Sequence, residues 1–133
     1  MSFEQFSLHP QVSEGVTSVG FTKPTPIQEQ AIPGAMAGGD VLGLAQTGTG
    51  KTAAFALPIL HHLASTPPKK GIRALVVAPT RELAEQIHQT FLELGKHLRV
   101  KSVPIYGGVG KGPQIAGVRR GAQVVVACPG RLL

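Results

Sequence analysis

The stretch Ala45-Gln46-Thr47-Gly48-Thr49-Gly50-Lys51-Thr52 constrains this chain more than any other. It reads as a phosphate cradle set between an apolar run, Val41–Ala45, and an Ala-rich run, Ala53–Leu57. Strand, Gly-rich turn and helix start are the context that gives such a motif meaning. Gly48 and Gly50 have no Cβ, so the backbone can turn sharply and approach a ligand closely. The unpaired N–H groups of the turn and of the following helix then face phosphate oxygens. Lys51 supplies a compact positive charge, and the Thr52 hydroxyl is placed to ligate Mg²⁺. The plainer alternative is a Gly-rich turn that only starts a helix. The general pattern begins with Gly, and here that position is Ala45.

The remaining chain alternates apolar runs with helical periodicity. Strands are expected at Val41–Ala45, Arg73–Ala78, Val100–Tyr106 and Gln123–Ala127. Helices are expected from Lys51 to about Ala64, from Arg81 to about Lys96, and over Gln114–Arg120. Pro58 falls inside the first of these and should kink it, because it removes a backbone donor. The second repeats Leu83, Ile87, Phe91 and Leu94 at helical spacing, with Thr80 as its cap. Such alternation implies an α/β fold with a parallel sheet flanked by helices, in which ligands bind beyond the carboxyl ends of the strands. Residues 1–40 form a separate N-terminal helical segment, with helices around Pro10–Ser18 and Ile27–Ala37. Residues 41–133 make the sheet-bearing part.

With 133 residues the chain makes one domain at most, and 42% hydrophobic content marks it as globular. Its single cysteine, Cys128, excludes an internal disulfide and fits a reducing cytoplasm. The N-terminus has no secretory-signal pattern, and the apolar runs are far short of a membrane span. The net charge of +6 is unevenly spread: residues 1–68 carry two Lys/Arg and four Asp/Glu, residues 69–133 eleven and three. A polyanion surface is therefore expected in the second half. From charge alone, a merely solvated surface is an equal reading.

Weaker motifs surround the cradle. In Phe21-Thr22-Lys23-Pro24-Thr25-Pro26-Ile27-Gln28, Thr25 caps a helix that Pro26 opens. The Gln28 amide can pair with the N6 and N7 edge of adenine, and Phe21 can stack on the ring. Taken alone, the capped helix start is the better reading. Pro79-Thr80-Arg81-Glu82-Leu83 sets a helix N-terminus and an Arg where a phosphate can sit, or is simply a capping box. Gly107-Gly108 permits close backbone approach or forms a turn, and Cys128-Pro129-Gly130-Arg131 places an Arg at a strand end. The five histidines show no metal-ligand spacing.

In this order, the segments Phe21–Gln28, Ala45–Thr52, Pro79–Leu83, Gly107-Gly108 and Pro129–Arg131 resemble the DEAD-box family of ATP-dependent RNA helicases, over almost the whole chain. In that family the cradle commonly begins with Ala. The resemblance implies a RecA-like P-loop NTPase domain, incomplete here, that binds ATP with Mg²⁺. It implies that Gln28 reads adenine, with Phe21 stacking near it and Phe3 as the upstream aromatic. Lys23, Thr25, Thr47 and Thr49 would lie with them on the nucleotide side. Gly48, Gly50, Lys51 and Thr52 would hold the phosphates and Mg²⁺, with Lys51 and Thr52 the catalytic pair. Pro79, Thr80, Arg81, Gly107, Gly108, Pro129, Gly130 and Arg131 would line an RNA backbone path, giving sequence-independent, salt-sensitive contacts. Cys128 stands where the family usually has Thr, replacing a hydroxyl with a weakly donating thiol.

The Asp-Glu-Ala-Asp segment, the Ser-Ala-Thr segment and the second RecA-like domain do not occur in these 133 residues. Hydrolysis needs a carboxylate on the Mg²⁺ shell and a charge that stabilises the transition state. The chain alone is therefore expected to bind nucleotide poorly, to hydrolyse none, and to expose apolar sheet edges that favour self-association. Two other classes compete with the helicase reading. One is a P-loop nucleotide-binding protein, such as a kinase or transporter-type ATPase, with no nucleic-acid role. The other is a non-enzymatic fragment that binds only RNA or a partner.

Overall fold

The computed structural model describes residues 2–45, 50–67, 71–106, 112, 116–118 and 120–129. It divides into two compact units, one formed by residues 1–67 with 93–98, the other by residues 68–92 with 99–133.

The first unit is helical. A short 3-10 helix, Phe3–Phe6, precedes α1 (Pro10–Ser18), α2 (Pro26–Met36) and α3 (Lys51–Ser65). Each helix start has a local cause. Pro10 and Pro26 occupy first-turn positions where a missing N–H costs nothing, behind the caps His9 and Thr25. The apolar faces meet: α2 and α1 both pack on α3, whose Ala53, Ala54, Ala56, Leu57, Leu60 and Leu63 are buried. The helix α3 continues through Pro58, which is itself buried. Residues 93–98 close against α1. A side chain at Gly15 would run into the Leu94 carbonyl, and His97 reaches Glu14 at 3.5 Å and Ser18 at 3.2 Å.

The second unit carries the sheet. Strands β1 (Ala74–Val77), β2 (Ser102–Ile105) and β3 (Val124–Ala127) are all parallel, in the order β1-β3-β2. The central strand β3 is buried throughout, which explains its unbroken Val-Val-Val-Ala run. The edge strand β1 alternates, leaving Leu75 and Val77 exposed. Helix α4 (Arg81–Leu94) follows β1; Ala84, Ile87, Phe91 and Leu94 are its buried residues. The mixed helix and strand content, with a parallel sheet and flanking helices, is the α/β class expected.

Two expectations need correction. Residues 41–45 do not form a strand. A strand exists only when its backbone groups find a ladder, and the three paired strands are bonded to one another. Leu42 and Leu44 are instead 87% and 84% exposed, and the segment runs beside α2, where Val41 faces Gly34 and Ile27 faces Gly43. In α4 the apolar stripe begins at Ala84, because Leu83 lies on the solvent side. The helix expected at Gln114–Arg120 is seen at residues 116–118, its other positions falling largely outside the described residues.

Candidate functional site

A capping box at the start of α2 is joined by one bond to the start of α3. Thr25 and Gln28 form a reciprocal capping box: the Thr25 N–H donates to Gln28 Oε1 at 2.9 Å, and the Gln28 N–H donates to Thr25 Oγ1 at 3.5 Å. Gln28 Nε2 then donates to the Gly50 carbonyl at 3.2 Å. That oxygen also accepts the first bond of α3, from the Ala54 N–H at 3.1 Å. Gln28 is only 2% exposed, and both ends of its amide are engaged, each with one bonding position left. The capped helix start is therefore the role Gln28 plays in the structure.

Gly50 is the N-cap of α3, with φ +82° and ψ 24°. A Cβ there would collide with Gln28 Nε2 and lie 3.1 Å from Thr25 Oγ1, so conformation and space both require glycine. Among the described residues no side chain caps α3, which leaves its first-turn N–H groups available to an anion. Lys51 is exposed and Thr52 half-buried in that first turn. This donor set suits a Mg²⁺-phosphate group.

The aromatic part is larger than the sequence suggested. Phe3 and Phe21 stack, with centroids 5.9 Å apart and planes at 20°, and Phe6 meets Phe3 edge-on at 5.8 Å. Phe3 and Phe6 are buried, whereas Phe21 is 39% exposed, so Phe21 presents an aromatic surface backed by its neighbours. Lys23 is exposed just beyond it. Thr47, Gly48 and Thr49 lie outside the described residues.

The second unit gathers the RNA-side candidates that are described. Because the strands are parallel and Val77 and Ile105 both pair with Ala127, the residues after each strand emerge at one end of the sheet. Pro79, Thr80 and Arg81 follow β1, Tyr106 follows β2, and Cys128 and Pro129 follow β3. Thr80 caps α4 by accepting the Leu83 N–H at 3.1 Å. The reciprocal half of a capping box is absent, because Leu83 occupies the position that would need Glu or Gln. Cys128 is a half-buried free thiol whose N–H donates to the Ile105 carbonyl at 2.8 Å. Gly107, Gly108, Gly130 and Arg131 lie outside the described residues.

Sequence reasoning missed a group in this unit. The Arg81 guanidinium lies over the Tyr106 ring, 5.4 Å from its centroid. The Tyr106 hydroxyl donates to Glu85 Oε2 at 3.1 Å, and Gln89 Nε2 donates to Glu85 Oε1 at 3.3 Å. Burial and the Glu85 carboxylate hold the phenol above its ordinary pKa, so it stays a donor. One turn on, His88 Nδ1 meets Ser102 Oγ at 2.9 Å, and burial lowers the His88 pKa despite Glu85. The available signal was the lone tyrosine directly before Gly107, with Glu85 one helical turn after Arg81. Among the described residues there is no metal-binding cluster of His, Cys, Asp or Glu, and no helix long and apolar enough to cross a membrane.

Comparison with known proteins identifies the family. The profile of the DEAD/DEAH box helicase family matches residues 25–133. An ATP-dependent RNA helicase DeaD of Mycobacterium tuberculosis is 50% identical over 99% of this chain, which spans 23% of that protein. A DEAD-box ATP-dependent RNA helicase RhpA of Helicobacter pylori is 50% identical over 99% of this chain and 26% of its own length. DEAD-box ATP-dependent RNA helicase 20 of Oryza sativa is 45% identical over 98% of this chain and 27% of its own length. The chain thus spans about a quarter of the length of these relatives. It belongs to the DEAD/DEAH box helicase family, whose domain is RecA-like.

Proposed function

We propose that this chain is the ATP- and RNA-binding N-terminal part of a cytoplasmic ATP-dependent RNA helicase that unwinds short RNA duplexes. The relatives' names supply the activity class. The observation that carries the nucleotide reading is the 3.2 Å bond from Gln28 Nε2 to the Gly50 carbonyl. It ties the proposed adenine-reading helix start in residues 1–40 to the phosphate-facing start of α3 in residues 41–133. Adenine would take the amide positions that Gln28 has left, with Phe21, backed by Phe3, stacking beside it and Lys23 and Thr25 close by. Thr47, Gly48, Thr49, Gly50 and Lys51 would hold the phosphates, and Thr52 would ligate Mg²⁺. The bound Mg²⁺ would supply charge neutralisation at the phosphates.

RNA would run along the strand ends of the second unit, past Pro79, Thr80, Arg81, Gly107, Gly108, Pro129, Gly130 and Arg131. That unit carries ten Lys/Arg against two Asp/Glu, which favours a polyanion. Hydrolysis would need a further carboxylate and a second RecA-like domain, so the 133 residues alone would bind without turnover.

The test is binding of a fluorescent ADP analogue and of a labelled oligouridylate to the purified chain. Lys51→Ala should abolish the first and spare the second, and RNA affinity should fall steeply with added salt. Nucleotide binding that survives Lys51→Ala, or Lys51-dependent turnover, would contradict the proposal.

A further inference from the structure

We infer that Tyr106 and Glu85 position Arg81 for an RNA phosphate: the Tyr106 ring supports the guanidinium, and the Glu85 carboxylate fixes the ring. The inference rests on the reading of Arg81 as an RNA contact and names two residues which that reading leaves out.

Arg81 is the first residue of α4 and is exposed. A free arginine side chain samples many rotamers, and ordering it on contact with phosphate opposes binding. Here the guanidinium already lies over an aromatic face, 5.4 Å from the centroid. Stacking occupies the face of the planar group and leaves its N–H edge available for a bidentate phosphate contact.

The platform is itself braced. Tyr106 Oη donates to Glu85 Oε2 at 3.1 Å, and the other oxygen of Glu85 accepts from Gln89 at 3.3 Å. This engagement has an electrostatic consequence. Glu85 stands one helical turn from Arg81, where an acid often pairs with a base. The two form no ion pair in the structure, whose ion pair among the described residues is His97 with Glu14. Glu85 therefore supports the ring without capturing the charge intended for phosphate. His88 and Ser102, bonded at 2.9 Å one turn further along α4, join the same helix to β2. Tyr106 and Glu85 are positioning residues, because neither needs to touch RNA.

The experiment is a double-substitution cycle in the full chain, read by oligouridylate affinity across a salt series. Arg81→Ala should weaken binding and reduce the salt slope by about one. Tyr106→Leu should weaken binding about two- to fivefold in the unsubstituted background, the range for an exposed cation–π contact. It should cost nothing further in the Arg81→Ala background. Tyr106→Phe, which keeps the ring and loses the bond to Glu85, should lose less than Tyr106→Leu. Equal losses in both backgrounds, or equal losses for Phe and Leu, would overturn the inference.

A measurement on the unsubstituted chain guards against a Leu variant that fails to fold. The Arg81 Hδ resonances should lie upfield of their random-coil positions, because of the ring beneath them. Unshifted resonances would overturn the platform. If Arg81→Ala leaves affinity and salt slope unchanged, the RNA reading of Arg81 fails, and this is separable from failure of the platform.

Discussion

Gly50→Ala is the most informative single substitution on the nucleotide side, because two separate costs meet at one atom. The first is conformational: at φ +82° a Cβ crowds the backbone, costing about 1–2 kcal/mol. The second is spatial: the new methyl takes the place of Gln28 Nε2, so the bond to the Gly50 carbonyl breaks and a buried amide loses its partner. Leaving a buried polar group unsatisfied costs about 1–3 kcal/mol. The sum is about 2–5 kcal/mol, large against the usual stability of a small domain. Gln28→Ala alone removes the same bond and half of the capping box, costing about 1–3 kcal/mol. In the double variant the methyl has no amide to displace, so Gly50→Ala should then cost only its conformational part. The two changes should be non-additive by about 1–3 kcal/mol, the part lost with the displaced amide. Urea unfolding followed by far-UV circular dichroism measures all four proteins. Additivity within about 0.5 kcal/mol would refute the reasoning, because it would mean that the Gln28–Gly50 contact contributes nothing.

Two further predictions concern the first unit. Gly15→Ala should destabilise the chain by about 1–3 kcal/mol, as overpacking against the Leu94 carbonyl outweighs the gain of about 1 kcal/mol that alanine gives in a helix; thermal unfolding measures it. Stability should also fall as pH drops below about 6.5, the ordinary imidazole value. The His9 N–H donates to His61 Nδ1 at 2.9 Å, a bond that only the unprotonated nitrogen can accept, and burial with the nearby His9 and His62 lowers the His61 pKa. The unfolded chain therefore binds the proton first, and stability is retained above the unfolded value and lost below it. His61→Gln should flatten this dependence in melts between pH 5 and pH 8; an unchanged pH profile would contradict it.

What the sequence made legible follows from local physics. Pro10 and Pro26 mark helix starts because their fixed φ and missing donor suit only that place, and both helices appear there. The run Val124–Ala127 reads as a strand and is buried at every position; the near-continuous apolar run Arg73–Ala78 reads as a strand covered on both faces, yet β1 leaves Leu75 and Val77 exposed because it lies at the edge of the described sheet. The family was legible in the order of its motifs. The role of Val41–Ala45 was not, because an apolar run states a preference for burial but not whether a ladder is within reach. Leu83 misled for a related reason: helical spacing alone does not distinguish Leu83 from Ala84 at the edge of a stripe. The engagement of Gln28 with Gly50 and the support of Arg81 by Tyr106 join residues 22 and 25 positions apart, so no local pattern encodes them.

The central claim is that the start of α3, joined to Gln28, forms an adenine nucleotide site. Its most direct test is thermal unfolding of the chain with ADP and with GDP, each with Mg²⁺. A ligand that binds only the folded state stabilises it by about 2.7 kcal/mol at one hundred times its Kd, so even modest affinity is visible. The account predicts a rise in Tm with ADP that GDP does not produce and that Lys51→Ala removes. Equal shifts with both nucleotides would leave Gln28 as a helix cap without base selectivity. No shift with either, on a chain that melts cooperatively, would contradict the nucleotide site itself.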